Sequence, residues 1–134
     1  MNNDLRWKQR FENFEKAFAV FQRRIDDYRL EPDREAYQMA LVQGYEIVIE
    51  LAWKVMKNYL ENDGFDVQNG KQAIRQAFQN EIISQGEVWL MALENRNLTS
   101  HVYDAETLAR IVAFIDGEFY PLVRDFFFAM KKRP

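Results

Sequence analysis

Apolar side chains at Trp7, Phe11, Phe14, Phe18, Phe21, Ile25 and Tyr28 recur in alternating steps of four and three, with Lys8, Glu12, Glu15, Lys16, Arg23 and Arg24 between them. That period predicts one long amphipathic helix with a narrow apolar seam. A heptad stripe of aromatics could be a cofactor platform, but helix–helix packing is the far commoner cause, so the seam is read as core. Pro32 and Asp33 then supply a stop and a start signal, and a second helix is expected from about Arg34 to Asn62. Its residues Tyr37, Leu41, Tyr45, Val48, Leu51, Ala52, Val55, Met56 and Tyr59 spread over more than one face, as in a central, buried helix. Glu46, Glu50 and Lys54 interrupt that surface at one-turn intervals. Such a ladder is commonly a solvated charge stripe; the sharper reading is a partly buried network that orients something across a bundle.

The stretch NDGFDVQNG, Asn62 to Gly70, is turn chemistry and closes the second helix. A shorter helix is expected from about Lys71 to Asn80, then a break at Ser84 to Gly86, then a helix from about Glu87 with Trp89, Leu90 and Leu93 on its buried side. It runs into ENRNLTSHVYD, Glu94 to Asp104. Asp104 reads as the N-cap of a last helix, which ends in the basic KKR and which Pro121 should end or kink locally. No alternating β pattern, repeat or low-complexity linker divides the chain. The expectation is an all-α, antiparallel up-and-down bundle of four to five helices in a single domain, 1–134.

Composition narrows the chemistry. The 134 residues contain no cysteine, which excludes disulfides, thiolate zinc sites and cysteine nucleophiles. A formal charge of -3 argues against a surface that attracts nucleic acid everywhere, so any RNA contact needs a local basic patch. Aromatic residues make up 15% of the chain, more apolar surface than a small helical monomer easily hides, which favours a partner such as a second copy. No long apolar run and no apolar leader segment is visible, so a soluble, cytoplasmic protein without a membrane span is expected.

His101, the one histidine, sits just before the Asp104 N-cap, in the short connection after the helix that carries Arg96. A histidine titrates near neutral pH and can move a proton; a nearby arginine can hold a phosphate and stabilise added negative charge. Together they suit RNA cleavage by its own 2′-hydroxyl, which needs no metal and no cofactor. Chance alone puts an arginine five to seven residues ahead of a histidine in about one case in four for so arginine-rich a chain. A metal site would need carboxylates to complete a lone histidine, and Ser100, His101 and Asp104 are too close in sequence to form a triad.

The surrounding residues carry more than the spacing. ENRNLTSHVYD resembles the RX4HXY form of the HEPN motif, with Arg96, the polar Asn97, His101 and Tyr103 in place. GYEIVIELAWKVMKNYLE (Gly44 to Glu61) and AIRQAFQNEIISQGEVWLMALENRN (Ala73 to Asn97) resemble the family described as nucleotidyltransferase substrate-binding proteins, in matching order. The resemblance implies a homodimer associated with a small minimal nucleotidyltransferase, in a heterotetramer or larger complex, as a toxin–antitoxin pair. It implies a metal-independent endoribonuclease toxin, silenced by AMP transfer to a tyrosine. By position His101 would be the general acid or base, Arg96 the phosphate anchor, Asn97 their support and Tyr103 the AMP acceptor, whose modification adds charge and bulk beside His101. Glu46, Glu50, Trp53 and Lys54 match the central-helix signature, for which a structural or cleft-lining role is implied; Trp53 is most simply core, and Glu50 is suited to hold Arg96.

Val102 departs from the threonine frequent in the family, and Gly70 and Lys71 stand where a proline often opens the third helix. In the dimer two motifs would face each other near the seam, with Arg96 and any of Lys54, Lys71 or Arg75 making the cleft locally positive. A rival reading is a non-catalytic subunit that presents a nucleotide or protein substrate to the nucleotidyltransferase; a plain helical interaction module is a third.

Overall fold

The structure of the chain is a computed structural model that describes residues 3–134; Met1 and Asn2, which open the stretch read for a leader segment, lie outside them. Two 28-residue helices dominate, α1 (Asn3–Leu30) and α2 (Glu35–Asn62), each about 42 Å long at 1.5 Å per residue. They lie antiparallel: the ring of Trp7 meets Tyr59 edge-on at 5.0 Å, and Phe21 packs against Gly44 at the other end. The turn at Pro32 and Asp33 makes this possible by breaking the helix where the sequence placed its stop and start. Of the aromatic stripe, Trp7, Phe14, Phe18, Phe21 and Ile25 are buried.

Of two shorter helices, α3 (Gly70–Gln79) packs against α2, and α4 (Gly86–Asn95) packs against α3 and reaches α2 through the Tyr45 hydroxyl at Ala92. The Asn69 side chain accepts the Gln72 N–H and caps α3. Gly70 stands in place of a proline at a close approach: a Cβ would stand 3.2 Å from both Trp53 and Leu93, which would have to give by a few tenths of an ångström. The glycine lets the start of α3 close onto α2 and α4 together.

A two-turn 3₁₀ segment (Arg96–His101) follows α4. Asp104 then caps α5 (Ala105–Phe114), its carboxylate accepting from the Thr107 N–H and hydroxyl. Rather than ending at Pro121, the helix passes through a π turn (Ile115–Phe119) and continues as α6 (Tyr120–Lys131), one unbroken rod. The wider turn is the local adjustment to the proline. Tyr120 N–H reaches five residues back to the Ile115 carbonyl, which opens the helix around Gly117, whose carbonyl an α-helical Pro121 would strike.

This rod lies antiparallel to α1. Phe127 stacks on Phe18 at 4.8 Å, Phe126 meets Phe14 edge-on at 5.6 Å, and the ion pairs Lys131–Glu15 and Arg29–Asp116 close the two ends. Each such ring pair adds roughly 0.5–1.5 kcal/mol beyond the area it buries. With the rod taken as one, the fold is an all-α bundle of five helices, and no strand occurs among the described residues. Among the described residues no helix is long and apolar enough to cross a membrane.

Candidate functional site

The site is built where α4 tightens into the 3₁₀ turn beside the middle of α2. Tyr45, fully buried in the most apolar stretch of α2, has a hydroxyl that needs a partner, and it donates to the Ala92 carbonyl in the last turn of α4. Burial holds its phenol well above the ordinary range, with the Arg96 charge pulling the other way. This bond sets the position from which Arg96 leaves the helix.

The Arg96 side chain turns back onto α2. Nη1 lies 3.3 Å from Glu46 and Nε 3.6 Å from Glu50. All three side chains are about one-third exposed, at 35%, 31% and 36%, so the carboxylates form a partly buried network and not a solvated stripe. Nε is buried with no hydrogen-bond partner, so its tie to Glu50 is charge attraction at slightly more than bonding distance. The Trp53 indole N–H donates to the other Glu50 oxygen at 3.2 Å, which fixes the carboxylate. Trp53 is therefore half-buried and orienting as well as core. Lys54 does not extend the ladder; its ammonium lies 5.8 Å from the Trp53 ring centroid.

Thr99 is the residue that sequence reasoning passed over. It is buried, its hydroxyl donates to the Arg96 carbonyl at 2.7 Å, and it lies 3.5 Å from Arg96 Nη1. A threonine three residues on from Arg96 is the spacing of one 3₁₀ turn, the signal that could have found it. The hydroxyl stitches the turn shut.

His101 ends that turn on the solvent side. Its Nδ1 lies 3.3 Å from the Tyr103 hydroxyl and the rings meet edge-on, with centroids 5.9 Å apart. Tyr103 is 81% exposed, while Val102 between them packs against the core. The Asp104 N–H donates to the His101 carbonyl at 3.1 Å and closes the bend. Hydrogen bonding to Thr107 holds the Asp104 carboxyl below the usual carboxylate range.

The structure thus brings Arg96 to Glu46 and Glu50, and His101 to Tyr103, but gives no bond between the two groups. A shallow depression of about 470 Å³ is lined by Gln43, Glu46, Ile47, Glu50, Leu51 and Arg96. Lys54 is not among its walls. Within one chain two carboxylates meet one guanidinium there, so the immediate surroundings are not positive. Asn97 borders a separate hollow of about 890 Å³ between α4 and α5, with Leu98, Arg110 and Phe114. Arg75 lines the groove between α3 and α4 instead, beside Phe78 and Leu90, and Lys71 is exposed in the first turn of α3. Among the described residues no group of three or more His, Cys, Asp or Glu is arranged to hold a metal ion.

Comparison with known proteins places these features in a wider set. The family described as nucleotidyltransferase substrate binding protein like matches residues 9–132. A probable ribonuclease HepT from Haemophilus influenzae is 32% identical over 80 residues, covering 56% of this chain; the chain spans only 55% of that relative's length. A crystal structure of a protein from Thermus thermophilus superposes with a TM-score of 0.76 at 26% identity, over 90% of this chain and 99% of that one.

Proposed function

This chain belongs to the nucleotidyltransferase substrate binding protein like family, and we propose that it is a metal-independent endoribonuclease toxin whose partner is a minimal nucleotidyltransferase. The observation that carries the reading is one short 3₁₀ turn with a clamped Arg96 at its head and an exposed His101–Tyr103 pair at its foot. The relative named a probable ribonuclease supports it.

In the proposed reaction an RNA 2′-hydroxyl attacks the adjacent phosphorus, the bond to the 5′-oxygen breaks, and a 2′,3′-cyclic phosphate and a 5′-hydroxyl result. His101 accepts the first proton or supplies the second. Glu46 and Glu50 engage Nη1 and Nε of Arg96, which leaves the Nη2 edge of the guanidinium for a phosphate oxygen. The carboxylates fix the fork and the third nitrogen does the binding. Asn97, which borders the separate hollow, supports the turn through its carbonyl, which accepts the Ser100 hydroxyl at 3.3 Å. Two copies would pair with the depressions facing, covering Ile47 and Met91, which are 48% and 44% exposed, and RNA would then meet two histidines and two arginines. Tyr103 is the proposed AMP acceptor, and its exposure lets a second enzyme reach it.

A second reading, a non-catalytic subunit that presents substrate to the nucleotidyltransferase, draws on the same clamp: an arginine matched by two carboxylates binds phosphate weakly. Incubation of the purified, unmodified dimer with RNA in chelator separates the two. Cyclic-phosphate ends that disappear in His101→Ala are expected; intact RNA would leave the binding subunit as the surviving reading.

A further inference from the structure

Two exposed groups rarely hold one geometry, yet His101 and Tyr103 are braced on three sides. Thr99 closes the turn before them through the Arg96 carbonyl. Val102 between them is partly buried and packs against the core. The Asp104 N–H ties off the His101 carbonyl, while the Asp104 side chain is taken up in capping α5. The Tyr103 hydroxyl, 3.3 Å from the imidazole Nδ1, therefore has a proton acceptor at hand before any partner arrives. No carboxylate is bonded to that hydroxyl, and the nearest acidic neighbour in the chain, Asp104, is turned toward Thr107.

Resting on the reading of Tyr103 as the AMP acceptor, we propose that His101 is also the catalytic base of that modification, so that the target chain carries its own proton acceptor. Tyr103 Oη attacks the α-phosphorus of ATP. The new Oη–P bond forms as the bond to the β-phosphate oxygen breaks, pyrophosphate departs, and the phenolic proton passes to His101 Nδ1. A phenol is a poor nucleophile until its proton is removed, and a positioned imidazole typically contributes about 10²- to 10⁴-fold. In this role the neutral ring carries its proton on Nε2 and leaves Nδ1 open to the phenol. One imidazole then has two working edges, Nε2 for RNA and Nδ1 for its own silencing.

The test measures AMP incorporation by mass spectrometry, with the cognate nucleotidyltransferase and ATP, into wild type, His101→Ala and His101→Gln. Glutamine keeps a hydrogen-bond acceptor but takes no proton. Both variants are expected to slow transfer at least tenfold with unchanged melting temperature, and added imidazole is expected to restore part of the rate in His101→Ala. Full-speed transfer into His101→Gln would overturn the proposal, because the contact would then only position the phenol. A partner-free measurement follows acetylation of Tyr103 by N-acetylimidazole, resolved by peptide mass, with the other tyrosines as internal controls. Should wild type accept no AMP while Tyr103 acetylation still slows selectively in His101→Ala, the silencing reading fails and the base survives. Acetylation unaffected by either variant would overturn the base.

Discussion

Replacing Tyr45 by phenylalanine removes one oxygen from the centre of the bundle and isolates the bond that sets the end of α4. The ring keeps its edge-on contacts with Phe119 at 4.9 Å and Phe114 at 6.4 Å, so packing is nearly conserved. What is lost is the hydroxyl donated to the Ala92 carbonyl. That carbonyl is not orphaned, because it also accepts the backbone N–H of Arg96 in the last helical turn. The cost is therefore that of a net hydrogen bond, about 0.5–1.5 kcal/mol, and not the roughly 1–3 kcal/mol of a stranded buried acceptor. For a chain of 134 residues this lowers the melting temperature by about 2–5 °C. Urea unfolding with unchanged m-value measures the energy, and amide exchange should quicken at residues 93 to 97. A loss above about 3 kcal/mol, beyond the orphan-acceptor range, or exchange unchanged there, would refute the account of Tyr45 as the pin beneath Arg96.

Gly70→Ala should destabilise by about 1–3 kcal/mol in denaturant titration, since the added methyl meets Trp53 and Leu93 at 3.2 Å. Phe14→Ala should cost about 3–5 kcal/mol by the same assay, because the ring is fully buried against Phe11, Phe18, Phe126 and Phe127. Asp104 has a folded pKa held below its unfolded value of 3.8 by Thr107, so its contribution is present above that value and lost as pH falls through the folded pKa. Acid titration of Asp104→Asn should show a shallower fall in melting temperature over that window than wild type shows.

The heptad seam of α1 is legible in the sequence because apolar periodicity is what packing selects, and the buried set matches it except at Phe11 and Tyr28, which are only half-covered. The Glu46–Glu50–Lys54 ladder is legible as spacing but not as partnership. Neighbours along one helix compete with groups on other helices, and here Arg96 and Trp53 take Glu50 while Lys54 goes to an aromatic face. Thr99 carries its signal in the three-residue spacing from Arg96, which has meaning only once the connection is known to be a 3₁₀ segment. Of the two outcomes expected at Pro121, an end or a local kink, the helix takes the local distortion: the rule for proline is local, and the aromatic contacts of Phe126 and Phe127 with α1 hold the rod together beyond it.

The π turn at Ile115–Phe119 also makes the chain intolerant of shortening at one point. A turn closed by five-residue bonds is an α-helix with one residue too many, and removing that residue, Gly117 for instance, would restore the ordinary spacing. Phe126, Phe127 and Met130 would keep the face that meets α1, because a wide turn absorbs its extra residue without passing a change of phase along the rod. Pro121 would then stand four residues after Asp116 in an ordinary α-helix, its ring against that carbonyl, and the rod would kink where it now runs through. A single-codon deletion there would leave the buried faces in register and still break the helix, because the wide turn is the space that the proline occupies.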